Sequence, residues 1–182
     1  MSVLKPWRVL RTRTIFADAP HVSLKADDVE LPNGRGVEGY YQIGSRDSCA
    51  VVATTETGEV IMLRQYKHGA RKVCLTFPGG RQEEGEEMLE TARRELREET
   101  GYEAAEWRSL GRFPIHANQH VGIVEIFRAE ATRLVSSANA GDLEEMELAL
   151  VTLDDARQAL KDGEIALLGD AAALALALSE RR

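Results

Sequence analysis

Residues 80–102 read GRQEEGEEMLETARRELREETGY, and within them Arg94-Glu95-Leu96-Arg97-Glu98-Glu99 gathers carboxylates on one side of a helix. At 3.6 residues per turn, Glu95, Glu98 and Glu99 stand at i, i+3 and i+4 and converge within one turn. Like charges at that spacing repel, by ~0.2–0.5 kcal/mol per pair in an isolated helix. A divalent cation with oxygen ligands would offset the repulsion, and a carboxylate ridge beside a cleft suits such an ion together with a phosphate. The plainer reading is a solvated helix face neutralised by Arg94 and Arg97.

The flanking residues favour the first reading. An apolar stretch, Val73 to Phe77, ends in the turn Pro78-Gly79-Gly80. A helical pattern then starts near Glu86, with Leu89, Ala92 and Leu96 as its apolar stripe, and Gly101 closes it in the left-handed cap that glycine favours. Gly80, Glu86, Arg94-Glu95-Leu96, Glu98-Glu99 and Gly101 are separated by five, seven, one and one residues. This spacing resembles the signature of the Nudix hydrolases at every position but the last, where Tyr102 replaces the usual aliphatic residue.

The resemblance implies an α/β fold, an α/β/α sandwich with a mixed sheet flanked by helices. It also implies Mg2+ or Mn2+ bound by Glu95, Glu98, Glu99 and the main-chain carbonyl of Gly79. Arg94 and Glu86 hold positions that the family uses to orient the acidic side chains and to steady the loop. Composition agrees with a folded, soluble chain: 182 residues, 43% hydrophobic and 29% charged. A net charge of −7 argues against nucleic acid or an anionic membrane surface as a partner. Cys49 and Cys74 lie in apolar stretches without metal-ligand spacing and read as free thiols in a reducing compartment. No apolar run approaches the ~18 residues of a membrane span, and the N-terminus lacks the pattern of a secretory signal, so the expectation is a cytoplasmic protein.

From Trp7 to about Tyr41 the chain reads as an extended meander with a turn at Pro32-Asn33-Gly34. Residues 1–45 resemble the N-terminal strand extension of the nucleoside-diphosphate-sugar and ADP-ribose branch of the family, where it supports dimers and contributes to the base pocket. Residues 46–182 form the expected catalytic domain. In it, strands are expected at Cys49 to Ala53, Val60 to Tyr66, Glu106 to Phe113, Val121 to Ala129 and Glu147 to Leu153. Two closing helices are expected, one capped by Thr152 or Asp154 and running to about Lys161, the other opened by Asp170 and ending near Ser179.

The branch resemblance extends to further residues. Arg64-Gln65-Tyr66 resembles a strand end whose arginine touches the diphosphate, which makes Arg64 and Tyr66 substrate-binding candidates. The segment Gly141 to Glu147 resembles the acidic loop that supplies the general base, so Glu144 and Glu145 join Glu98 as catalytic candidates. Asn118, in Pro114-Ile115-His116-Ala117-Asn118-Gln119-His120, falls where sugar or base should sit, with Trp7, Tyr40 and Tyr41 as possible stacking or packing residues. That segment and Thr76-Phe77-Pro78 depart from the ADP-ribose pattern. The implied activity is a pyrophosphohydrolase of a nucleoside diphosphate sugar or ADP-ribose-like molecule, acting as a homodimer. A nucleoside triphosphate pyrophosphatase and a noncatalytic nucleotide-sensing module are the alternatives.

Overall fold

The computed structural model describes residues 4–138 and 145–179. Its elements run β1 (Arg8–Asp18), β2 (Val22–Glu30), β3 (Gly36–Gly44), β4 (Ser48–Thr55), β5 (Val60–Lys67), β6 (Lys72–Thr76), α1 (Met88–Thr100), β7 (Tyr102–His116), β8 (His120–Leu134), β9 (Met146–Val151), α2 (Leu153–Lys161) and α3 (Leu168–Ser179). They divide into two units: Met1–Arg46 with Pro114–Ile123, and Asp47–Phe113 with Val124–Arg182.

In the first unit β1, β2 and β3 form an antiparallel meander. The turn expected at Pro32-Asn33-Gly34 is there: Gly34 takes φ +81° and donates to the Leu31 carbonyl, while Asn33 Oδ1 accepts from the Arg35 amide. A register shift between Asp27 and Val29 takes Asp28 out of the β2–β3 ladder. Its carboxylate instead receives Arg11 Nε (2.8 Å), Arg13 Nη2 (3.2 Å) and the Gly39 amide (3.0 Å). These donors, Arg11 above all, hold the Asp28 carboxyl at about 2. Every residue of β1 is exposed, Val9, Leu10, Ile15 and Phe16 among them.

In the second unit the alternation of β4 builds the layers. Cys49, Val51 and Ala53 pack with Ile61, Phe127 and Ala129 against Met88, Ala92 and Leu96 of α1. Ala50 and Val52 face the other way, with Met62, Leu75 and Ile126, onto Ala156 and Ala159 of α2 and Ala173, Leu174 and Ala177 of α3. A strand covered on both faces must be apolar at nearly every position, as CAVVA is. Helix, mixed sheet, helix is therefore the architecture of this unit. β8 runs parallel to β4, and β5 is antiparallel to β4, β6 and β9.

The ends of several elements differ from the sequence reading. The helix α1 starts at Met88, because Glu86 is drawn into side-chain bonds in the preceding loop. Residues Pro114 to His116 finish β7 and His120 begins β8, so the gap between the strands expected to end at Phe113 and to begin at Val121 shrinks to Ala117–Gln119. β8 continues to Leu134, past the expected end at Ala129. Thr152, not Asp154, caps α2 through the Asp155 amide, and α3 opens at Leu168, one turn-fraction before Asp170.

Candidate active site

The strand β6 and the segment that prolongs it deliver the glycine turn to the start of α1. Val51 and Cys49 donate their amides to the Pro78 and Gly80 carbonyls, at 2.8 and 2.9 Å. Alternation then turns Gly79 away from β4, and its amide donates to Glu99 Oε2 at 2.8 Å. The Gly79 carbonyl receives no backbone amide among the described residues. A Cβ on Gly79 would collide with the backbone carbonyl of Cys49, which leaves no room for a side chain, whereas one on Gly80 would meet only the Glu95 carboxylate and push it aside.

From the helix, Arg94 organises the acids. Its Nη1 donates to Glu95 Oε1 (2.8 Å) and Glu98 Oε2 (3.1 Å), and its Nε and Nη2 form a two-point contact with Glu86 (3.0 and 3.2 Å). Nη2 also reaches the Arg81 carbonyl at 3.3 Å, which ties the loop to the helix. Glu86 in turn accepts from Thr91 Oγ1 (2.7 Å) and the Glu83 amide (3.2 Å). Hydrogen bonds from Arg94 hold the Glu86 carboxyl at about 2, and the surrounding carboxylates push the Arg94 pKa above its ordinary value.

Glu99 is buried, Glu95 is mostly buried and Glu98 is half-exposed. Cys49 lies beneath them, and burial, with the charges of Glu95 and Glu99, pushes its thiol up to about 12. It is a packing residue with no thiolate character. The ridge donors are all oxygen, which suits a hard dication. Among the described residues, no three acidic, histidine or cysteine side chains converge as a ready-made metal cage. Arg94 and the Gly79 amide take up ridge oxygens in this arrangement, with Arg94 supplying the positive charge there, so the ridge fits a hard dication in the kind of its donor atoms.

Elsewhere the second unit places Arg64 and Tyr66 on the face of β5 shared with Val60 and Met62, opposite to Ile61 and α1. Arg64 Nη2 pairs with Glu164 Oε2 at 3.0 Å, and Tyr66 Oη lies 3.4 Å from His68 Nδ1. Glu145 is exposed just before β9, whose Met146 pairs with Gln65; Glu144 lies outside the described residues.

The first unit gathers several other candidates by itself. Trp7, Tyr40, Gln42, His116, Asn118 and His120 line a cavity of about 420 Å³. Trp7 and Tyr40 meet edge to face, with ring centres 5.4 Å apart. Gln42 Nε2 donates to the Asn118 carbonyl (2.9 Å), and His116 Nδ1 faces the Asn118 and Gln119 amides (3.4 and 3.3 Å).

Sequence reasoning missed Asp170. From the first turn of α3 its Oδ1 accepts the Phe77 amide (3.3 Å), immediately before the glycine turn. Its Oδ2 is buried without a partner among the described residues. Burial raises its carboxyl to about 7, against the pull of the Phe77 amide and the Lys67 charge. An aspartate opening an alanine-rich helix reads as an ordinary first-turn acid, so nothing local reveals a contact across 93 residues.

Comparison with known proteins matches residues 44–168 to the NUDIX domain and residues 7–43 to the nucleoside diphosphate sugar hydrolase N-terminal domain. A methanol dehydrogenase activator from Bacillus methanolicus is 34% identical over 168 residues, covering 91% of this chain and 89% of that one. An ADP-ribose pyrophosphatase from Bacillus subtilis is 33% identical over 145 residues, covering 79% and 78%. Among solved structures, an ADP compounds hydrolase superposes with a TM-score of 0.83 at 22% identity, covering 98% and 96%.

Proposed function

The chain belongs to the Nudix family, and from that premise we propose that it is a divalent-cation-dependent pyrophosphohydrolase of nucleoside diphosphate sugars or ADP-ribose-like molecules. The products are a nucleoside monophosphate and a sugar phosphate. The observation that carries this reading is the approach of the Gly79-Gly80 turn to Glu95 and Glu99 on α1. The match of residues 7–43 and the ADP-ribose pyrophosphatase relative support the substrate class.

In this reading Glu95, Glu98, Glu99 and the Gly79 carbonyl would hold Mg2+ or Mn2+. When bound, the ion supplies neutralisation of the diphosphate and stabilisation of the departing phosphate. The Gly79 amide keeps Glu99 aimed at the turn, and Arg94 sets the rotamers of Glu95 and Glu98. Glu98, at the solvent side of the ridge, Glu144 and Glu145 are the candidates for taking the proton of the attacking water. The cavity at Trp7, Tyr40 and Asn118 is the proposed seat of base or sugar, where aromatic rings suit a flat heterocycle. Arg64, with Tyr66 beside it, enters as a phosphate contact only if it leaves Glu164. We assign the fully exposed β1 to a homodimer interface, since a long edge strand that exposes Val9, Leu10, Ile15 and Phe16 invites strand or side-chain pairing.

The test is turnover of ADP-ribose, ADP-glucose, GDP-mannose, UDP-glucose, NADH, diadenosine polyphosphates and dNTPs with Mg2+ or Mn2+, with products identified. Monophosphate plus sugar phosphate from the diphosphate compounds supports the proposal. Preference for dNTPs would move the chain to the triphosphate class, and no turnover with either metal would leave a binding module.

A further inference from the structure

β6 stands at one end of the strand order and pairs with β5 along one edge. Amides of alternate residues point to the same edge of a strand. On the edge away from β5, the Leu75 amide donates to the Glu164 carbonyl at 3.0 Å, and Lys72 Nζ reaches the Gly163 carbonyl at 2.6 Å. The connection from α2 to α3 thus covers β6 where a further strand would. Two residues on, the Phe77 amide meets no carbonyl and donates instead to Asp170 Oδ1 at 3.3 Å. After two more, the Gly79 amide donates to Glu99 Oε2 at 2.8 Å. Alternate amides are therefore taken in turn by the α2–α3 connection, by α3 and by α1. Within that series Asp170 is the carboxylate that lies outside the ridge.

Packing does not call for an acid at this place. Asp170 is 7% exposed, its Oδ2 has no hydrogen-bond partner among the described residues, and Ala173, Leu174 and Ala177 of the same helix join the apolar layer that holds Leu75 and Phe77. Burying a carboxyl there carries a desolvation cost that one long bond to a backbone amide does little to offset. What the carboxyl adds is a fixed place for Phe77. Pro78 follows, with φ locked by its ring and its carbonyl held by the Val51 amide at 2.8 Å. With Phe77 and Pro78 both held, little freedom remains before Gly79, whose carbonyl and whose partner Glu99 are the ligands assigned above.

We propose that Asp170 is a positioning residue for the metal centre: by accepting the Phe77 amide from α3, it fixes the Pro78-Gly79-Gly80 turn against α1, so that the Gly79 carbonyl and Glu99 stand together. It touches neither ion nor substrate. This role rests on the ridge being the seat of Mg2+ or Mn2+. Removing a group that orients a metal ligand commonly lowers affinity by about 10–100-fold. Here the orienting bond acts through the backbone, which places the effect at the lower end of that range.

The test follows Mn2+ binding by the paramagnetic resonance signal of the free ion, with the full chain and no substrate, so turnover does not enter the reading. Asp170→Ala removes the acceptor and should weaken Mn2+ about tenfold. Asp170→Asn keeps an acceptor for the Phe77 amide and should bind Mn2+ as the parent does. Ala177→Gly destabilises the same helix without reaching Phe77, and it too should bind as the parent does. Circular dichroism verifies each fold, and Asp170→Leu, which also offers no acceptor, gives the same reading should the alanine variant fail to fold. Equal weakening in Asp170→Ala and Asp170→Asn overturns the positioning role, because the loss would then follow charge. Equal weakening in Asp170→Ala and Ala177→Gly overturns it as well, because the loss would follow stability. Unchanged affinity in Asp170→Ala, with Mn2+ lost in Glu99→Gln, overturns the role and leaves the ridge as the metal site. A parent protein that binds no Mn2+ up to about 10 mM removes the metal site itself, and the role of Asp170 with it.

Discussion

The Gly79 amide donates to Glu99 Oε2 at 2.8 Å, so the turn that ends β6 and the acidic helix 20 residues later are joined through a single carboxylate. Glu99→Gln keeps the shape but removes the charge. If Glu99 is a metal ligand, turnover should fall by about two orders of magnitude or more, as when a group acting in the transition state is lost. Thermal stability should change little. Near-normal rates would remove Glu99 from the ligand set.

Gly79→Ala acts by sterics. Its Cβ would sit 2.2 Å from the Cys49 carbonyl oxygen, and backbone on both sides resists displacement. A loss of about 1–3 kcal/mol is expected, the range for forced overpacking, with activity falling alongside. Chemical denaturation measures the first effect. An unchanged midpoint would mean that the turn yields more easily than this geometry implies.

Replacing Arg94 by Gln leaves Glu86, Glu95 and Glu98 without their shared counter-charge. The metal-free protein should melt lower than the parent, and added Mg2+ or Mn2+ should restore more of the loss than it adds to the parent. Differential scanning fluorimetry with and without metal reads this directly. Equal metal-induced shifts in both proteins would separate Arg94 from the cation.

Asp28 and Asp170 should give opposite pH dependences. The folded Asp28 carboxyl, near 2, lies below its unfolded value, so its contribution is complete above about pH 4. It is lost as pH falls toward 2, and Asp28→Asn should flatten that acid limb. The folded Asp170 carboxyl, near 7, lies above its unfolded value. The native state therefore holds the extra proton, and stability declines as pH rises from about 4 to 7. Asp170→Asn can still accept the Phe77 amide and carries no charge to bury. At pH 8 it should be more stable than the parent by about 1–3 kcal/mol, the cost of an unsatisfied buried group. Urea melts across pH 2–9 measure both, and parallel curves would refute these assignments.

The ridge and its glycine turn are legible in the sequence because they are local: spacing along one helix fixes which side chains share a face, and close approach demands glycine. The apolar run Cys49 to Ala53 likewise announces a strand covered on both sides. Contacts between distant segments are not legible in the same way. Neither the Arg11–Asp28 pair nor the Phe77–Asp170 bond leaves a local pattern, since each depends on the register of strands or the docking of a helix. Pro114 and the two histidines near it suggest a loop by composition, yet the β7–β8 pairing holds Pro114 to His116 in a strand. The face of Arg64 was also hidden, because a strand's side-chain parity has no meaning until the layers on each side are known.

Arg94 acts as a tethered counter-ion, and valence follows from that. A monovalent cation arriving at Glu95 and Glu98 brings no more charge than the guanidinium it would have to displace. A dication would bring one unit more, so carboxylates held by Arg94 would have an electrostatic reason to reorganise for magnesium or manganese and none to do so for sodium or potassium.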